Sequence, residues 1–469
     1  MNPPPTTASH LTKRLHLFST SRAVATAMTL VVIAFFCTAP LPLLPSKAQT
    51  KQQPAVDQPT ARSNAWILEQ NSRKGYRVSD LAAADGTLAQ RTDTNQTQIA
   101  QSIKSQGRFA SFDPPGYSPA QIRRAYGFDK LKNDGKGQVI AIVSAFHSPT
   151  SGADLQKFSK TFGLRKIHDN GLLTCGAPGV PHPCFQVIYA SGVQPLLVDE
   201  AWALESAIDT QWAHAIAPGA DIILVEAASS NLADLHLAVA VAASVPRVSV
   251  ISMSWGTFEF AGEQIFDVFF NVPGVTFLAS AGDTGGIPVY PASSPFVIAV
   301  GGTTLRLDRK GNRTAETAWI NGGGGPSAFS FEPAYQMDYP IPFTNNKKGT
   351  PDVAMVGDPL TGTSVYFSQD FAGQTGWFEL AGTSLSAPLW AGLIALANEL
   401  RRGQNLTSTD LFNSPIYDAA RRDYRDNFFD IRSGSAGAFT ATRGYDFTTG
   451  LGSPRADELV KALAGRRRD

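Results

Sequence analysis

The sequence predicts an α/β fold in which a parallel central sheet carries helices on both faces. Two observations lead there: short runs rich in Val and Ile recur along the chain, and amphipathic stretches of helical length separate them. A strand, helix, strand order of this kind requires right-handed crossovers, which lay the helices against both faces of one sheet. Active-site side chains are then expected at the carboxyl ends of the strands. The 469 residues, 43% hydrophobic with 41 Gly and 31 Pro, suffice for one large globular domain or two smaller ones. A net charge of +1 creates no long-range field that would recruit nucleic acid or an anionic membrane.

In chain order, Lys13, Arg14 and Arg22 precede AVATAMTLVVIAFFCTAPLPLLP, which ends at SKAQT, a small-x-small pattern before Gln49. This reads as a signal peptide, residues 1–48, cut after Ala48, and hence as a secreted, extracellular product. The alternative is an uncleaved membrane anchor, against which stand the threonines and the three prolines near the end of the stretch. From Gln49 to Gln106 the chain is polar, with ten Gln and no segment able to pack alone, so residues 49–106 read as a linker or a short propeptide.

At FDPPGYSPAQIRRAYGF the character changes, and residues 107–469 form the main domain. Ser118 and Pro119 can start a helix. Strands are expected at Gln138 to Ala145, Asp221 to Glu226, Val248 to Ser254, Val275 to Ala281 and Phe296 to Val300. Helices are expected at Ala153 to Phe162, Asp199 to Ile216, Ala233 to Ala243 and Gln264 to Phe270. Cys37 would leave with the signal. Cys175 and Cys184, in TCGAPGVPHPCF, close a Pro/Gly-rich loop, and in an exported chain they suggest a disulfide; a metal site using both with His182 is the alternative.

Three segments can carry chemistry. In AWALESAIDTQWAHAIAPGA, Glu205 and Asp209 stand four residues apart and project from one helix face, with Ile208 and Trp212 on or beside it. Two partly desolvated carboxyls side by side can hold a proton between them and act as a base without histidine; the same spacing is also ordinary on a solvated face. In FLASAGDTGG, Asp283 follows an apolar strand in a glycine-bounded turn, where it can tie down a loop or, protonated, donate to an oxyanion. In GTSLSAP, Ser384 stands at a helix N-terminus, where the amides and helix dipole favour negative charge beside its oxygen; a plain N-cap fits equally.

Taken together, these segments resemble the sedolisin family of serine-carboxyl peptidases, acid-acting endopeptidases and tripeptidyl peptidases on a subtilisin-like fold. The resemblance runs from about residue 117 to 455 through SPAQIRRAYGF, LESAIDTQWAHAIAPGADIILVEA, VISMSWG, ASAGDTGG, YPASSPFVIAVGGTTL, GGGGPSAFS, PDVAMVGDP, GTSLSAP and YDFTTGLGSP, in that order. It implies Ser384 as nucleophile, Glu205 as its general base, Asp209 as the carboxylate supporting Glu205, and Asp283 as oxyanion donor. It also implies that Ser254, Trp255 and Gly256 offer backbone to an extended peptide substrate. One calcium ion would be held by the side chains of Asp430 and Asp446 and the carbonyls of Ile431, Thr442 and Gly444, Thr442 standing where glycine is common in the family.

The partners implied are protein or peptide substrates, with no nucleic acid, no stable membrane association after signal cleavage, and a monomeric chain. Activity is expected in acid. Two features depart from the family pattern. Only 58 residues separate the expected signal cut from the main domain, where relatives carry a large folded propeptide, and VSAFHSPT places His147 where acidic residues are common. Two rival readings are a Ser-His-Asp hydrolase using His214, which points about 140° away from the Asp209 direction on an ideal helix, and a secreted binding protein that keeps the fold without turnover.

Overall fold

The computed structural model describes residues 59–68, 75–77, 110–175, 179–341, 343–402 and 415–465. The segment read as a signal lies outside the described residues, all of which belong to the unit Gln58–Asp469. Strands β1 (Arg62–Ser63), β2 (Trp66–Leu68), β3 (Gly75–Arg77) and β4 (Ala110–Ser111) come first, then α1 (Pro119–Tyr126). There follow β5 (Val139–Ala145), α2 (Ser151–Thr161), β6 (His168–Asp169), β7 (Cys184–Tyr189), α3 (Glu200–Ile216), β8 (Asp221–Ala227), α4 (Leu232–Ser244), β9 (Val248–Met253), β10 (Trp255–Phe258), β11 (Thr276–Ser280), β12 (Val289–Tyr290), β13 (Val297–Leu307) and β14 (Arg313–Ala318). The chain continues through β15 (Gly325–Phe331), α5 (Ala334–Met337), β16 (Lys347–Thr350), β17 (Val353–Val356), β18 (Thr363–Phe371), β19 (Gln374–Ala381), α6 (Thr383–Arg402), α7 (Pro415–Asn427) and α8 (Ala456–Leu463).

The central sheet has nine strands in the order β14-β13-β11-β9-β5-β8-β7-β6, with β17 also beside β13. Every pairing is parallel except that of β14 on β13. The expected mostly parallel sheet is therefore present. Alternation along β5 shows how one strand serves two layers: Ile140 and Ile142 enter the core beneath α3 and α6, while Val139, Ala141 and Val143 enter the core beneath α4. A second, antiparallel sheet, β18-β19-β2-β3 with β4 on β19, lies next to it in sequence and leads directly into α6.

Local chemistry fixes the element ends that matter. Ser118 begins α1 with a capping box, its hydroxyl accepting from the Gln121 amide while the Gln121 side chain accepts from the Ser118 amide. Arg123, on the same helix, donates to the Ile216 carbonyl at 2.6 Å and so places a cation at the carboxyl end of α3. α3 starts at Asp199, whose carboxylate accepts from the Ala201 and Trp202 amides at 3.0 Å.

Two expectations need revision. Gln264 to Phe270, read as an amphipathic helix, is a 3-10 turn over Glu263–Phe269. Phe266 and Phe269 pack against the core beneath α4 and stack on His236, while Ile265 and Val268 stay 72% and 52% exposed, and the Glu263 carboxylate is engaged with the Phe260 amide and Ser293. The polar stretch after Gln49 also contributes structure: β1 and β2 form within it by pairing with β10 and β19, far along the chain, and β3 pairs with β2. Such elements leave no periodic trace, because their partners are non-local.

Candidate active site

Glu205 and Asp209 lie on α3, a helix whose residues 201–216 are all buried. Two of its other polar side chains are satisfied by the second sheet: Gln211 exchanges two hydrogen bonds with the Tyr366 backbone, and the Trp212 indole donates to the Ser364 carbonyl at 3.1 Å. α6 packs against α3 at close range. A Cβ on Gly392 would lie 2.6 Å from Cβ of Ile216, so glycine is needed for the two helices to approach. That contact brings Ser384, on the first turn of α6, over Glu205.

The Ser384 hydroxyl donates to Glu205 Oε2 at 3.0 Å. The Ser254 hydroxyl donates to Asp209 Oδ1 at 2.6 Å and lies 3.2 Å from the Ser384 carbonyl oxygen. Asp283, past the end of β11, accepts on Oδ1 from the Thr383 amide at 3.0 Å and from the Thr383 hydroxyl at 2.5 Å. All four residues named from the sequence therefore converge, and each is at least 98% buried.

Burial sets the electrostatics. Removal from water pushes the Glu205 carboxyl up to about 8, against hydrogen bonds from Ser63 and Ser384 that favour its ionised form. Burial likewise raises Asp209 well above the usual carboxylate range, and the neighbouring Glu205 charge raises it further. Glu205 Oε1 and Asp209 Oδ2 are buried without a hydrogen-bond partner, while Oε2 and Oδ1 are engaged. The pair thus titrates as a unit with two oxygens available to hold one proton.

Among the described residues no imidazole takes part. The His214 ring is buried and bonds through Nε2 to the Arg165 carbonyl at 2.9 Å, and burial holds its pKa down to about 4. His147 bonds Glu226 at 2.9 Å, and His182 bonds Asp221 at 2.8 Å.

The sequence missed what covers this centre. β1 pairs antiparallel with β10, Arg62 opposite Gly256 and Ser63 opposite Trp255, and the Asn64 amide donates to the Ser254 carbonyl at 3.4 Å. The backbone of Ser254, Trp255 and Gly256, expected to receive an extended peptide, thus receives one from its own chain. The Ser63 hydroxyl donates to Glu205 Oε2, the oxygen that Ser384 also holds. Beyond Asn64, Trp66 and Ile67 pair with Ala381 and Leu380. Nothing in ARSNAWIL distinguishes it as a groove occupant by composition.

Cys175 and Cys184 are joined in a disulfide, so their thiols do not serve a metal with His182. The residues expected to hold calcium are gathered around one turn. Asp430 Oδ1 accepts from the Gly444 amide and Asp446 Oδ2 from the Thr442 amide, each at 3.0 Å. Asp446 is buried, which raises its pKa against bonds from Thr448, Thr442 and Thr449. Two carboxylates meeting the loop of Thr442 and Gly444 supply hard oxygen donors of the kind calcium takes, and Arg432 pairs with Asp430.

The frame is a subtilisin-like α/β fold, and its centre is a serine paired with a buried carboxylate dyad. The Subtilase family model matches residues 202–429. Kumamolisin of Bacillus sp. (strain MN-32) is 29% identical over 393 residues, 76% of this chain and 65% of that protein. Tripeptidyl-peptidase 1 of Dictyostelium discoideum is 30% identical over 325 residues, 58% of this chain and 50% of that protein. Sedolisin of Pseudomonas sp. (strain 101) is 30% identical over 251 residues, 46% of this chain and 40% of that protein. The matched region therefore spans less than two thirds of these relatives. A Pseudomonas sedolisin structure, a serine-carboxyl proteinase complexed with two molecules of pseudo-iodotyrostatin, superposes with a TM-score of 0.61 at 24% identity, covering 76% of this chain and 99% of that one. Over the matched residues the chain is similar to kumamolisin, tripeptidyl-peptidase 1 and sedolisin, and it shares the fold of the sedolisin structure.

Proposed function

We propose that this protein is a secreted, acid-acting serine-carboxyl peptidase that hydrolyses peptide bonds in proteins or peptides. The observation that carries the reading is the hydroxyl of Ser384 on Glu205 Oε2 at 3.0 Å, with His214 turned to Arg165. One proton shared by Glu205 Oε1 and Asp209 Oδ2 leaves Oε2 as the acceptor facing the serine. Ser384 attacks the substrate carbonyl as Glu205 takes its proton, and Asp283 donates to the developing oxyanion. Glu205 then returns the proton to the leaving amine, and water cleaves the ester. Asp283 can donate only while it holds a proton, so turnover belongs in acid and fades toward neutrality.

Secretion is part of the proposal and rests on the N-terminal pattern; among the described residues no helix is long and apolar enough to cross a membrane. Calcium, held by Asp430, Asp446 and the carbonyls of Ile431, Thr442 and Gly444, would cross-link the loop before α8 without entering the chemistry. Added calcium is expected to raise Tm in the wild-type chain and much less in Asp446→Asn.

The deciding measurement is hydrolysis of a denatured protein from pH 2.5 to 8 by the wild-type chain and by Ser384→Ala. Activity confined to acid and abolished by the substitution is the expected result. Undiminished activity at pH 8 contradicts the role given to Asp283, and no activity at any pH in folded, calcium-replete protein favours a binding protein on the same fold.

A further inference from the structure

The segment across the site is threaded as a substrate would be. On one side of Ser384, β1 pairs with β10; on the other, β2 pairs with β19. Between these two anchors lie two residues, Asn64 and Ala65, with the bond that joins them at the middle. Its carbonyl faces the oxyanion side: a Cβ on Gly382 would meet the Asn64 oxygen at 2.1 Å and Asp283 Oδ2 at 2.8 Å, and Gly382 has φ +101°. Only glycine admits a backbone so close. The Ala65 amide lies on the other side, against the Glu205 carboxylate and 3.3 Å from the Ser63 hydroxyl. The Asn64 side chain enters a buried recess at the end of β11, where its amide donates to Ser280 Oγ at 2.8 Å; Asn64 is 7% exposed and Ser280 is fully buried.

We infer that Asn64–Ala65 is a scissile bond of this protein, and that Ser280 is a specificity-determining residue selecting asparagine on the acyl side of the bond cut. The inference rests on the peptidase reading above. In the step, Ser384 Oγ bonds to the Asn64 carbonyl carbon and its proton passes to Glu205. The bond from that carbon to the Ala65 nitrogen then breaks, and the nitrogen takes the proton from Glu205. Water releases the Asn64 carboxyl from Ser384, leaving a chain that begins at Ala65. A side chain without a donor leaves the buried Ser280 hydroxyl without this bond, which is how polar recesses discriminate.

The test has two parts. The full-length chain and Ser384→Ala are incubated in acid, and their N-termini are read by sequencing and intact mass. Wild type is expected to start at Ala65, and the variant to keep Asn64 and Ala65 joined. The peptide Ala-Arg-Ser-Asn-Ala-Trp-Ile-Leu is then compared with the same peptide carrying Leu in place of Asn. Wild type is expected to prefer Asn by about tenfold in kcat/KM, and Ser280→Ala to narrow that ratio to about twofold. An active enzyme with a different N-terminus, or with no preference for Asn, overturns the inference and leaves the peptidase reading intact. Folded wild type that cuts neither its own chain, nor the peptide, nor an added protein overturns both.

Discussion

The Ser254 hydroxyl touches both halves of the centre, donating to Asp209 and lying beside the Ser384 carbonyl. It thereby fixes which Asp209 oxygen remains for Glu205. Ser254→Ala is expected to lower kcat ten- to a hundredfold, the range for losing a hydrogen bond to a carboxylate. It should also displace the pH profile, because the dyad loses a bond that favours ionisation; a lower kcat with an unmoved profile would reduce Ser254 to a packing role. At this scale Glu205 and Asp209 were legible because their spacing puts both on one helix face. Asp283 and Ser384 were legible from the turn and helix start that hold them. The Ser254 side chain was not, since its partner is set by where the end of β9 meets α3, a contact absent from any local pattern.

Among the elements, β1 does most to set the state of the site. Its Ser63 hydroxyl shares Glu205 Oε2 with Ser384, so under the proposed mechanism the strand both presents a peptide and competes for the base. Ser63→Ala removes the competitor and keeps the backbone pairing. Conversion of the full-length chain is expected to accelerate several-fold, followed by the loss of intact mass with time in acid; an unchanged rate would show that Ser63 does not hold Glu205 back. The principal parallel strands and α2, α3 and α4 were readable from periodicity. The failures were elements with little of it, namely two- and three-residue strands such as β1 and β2 that form against remote partners, and a 3-10 turn that buries Phe266 and Phe269 but leaves Ile265 and Val268 in water.

For the whole molecule, the buried dyad couples folding to pH. Glu205 titrates near 4.5 when solvated and at about 8 in the covered site, so the folded chain keeps a proton that the unfolded chain loses between those values. Its contribution to stability is complete below about 4.5 and is lost as pH rises through about 8. His214 and His236, held neutral by burial down to about 4, act in the opposite direction as pH falls below 6.5. The dyad is therefore best isolated by difference. Between Ser384→Ala and Ser384→Ala with Glu205→Gln, the difference in Tm is expected to grow in favour of the former as pH drops from 8 to 4.5. A difference constant across that range would mean that Glu205 is not held protonated by the fold.

The contact of Gly392 with Ile216 has a consequence for how this architecture tolerates change in chain length. Ser384 and Glu205 each sit on a helix that passes through this one crossing, Ser384 eight residues from it and Glu205 eleven. Inserting a single residue between Ser384 and Gly392 would swing the serine about 100° around the helix axis and advance it about 1.5 Å. Deletions and insertions should therefore be excluded from Ser384 to Gly392 and from Glu205 to Ile216, while the loops outside those two intervals remain free to vary in length.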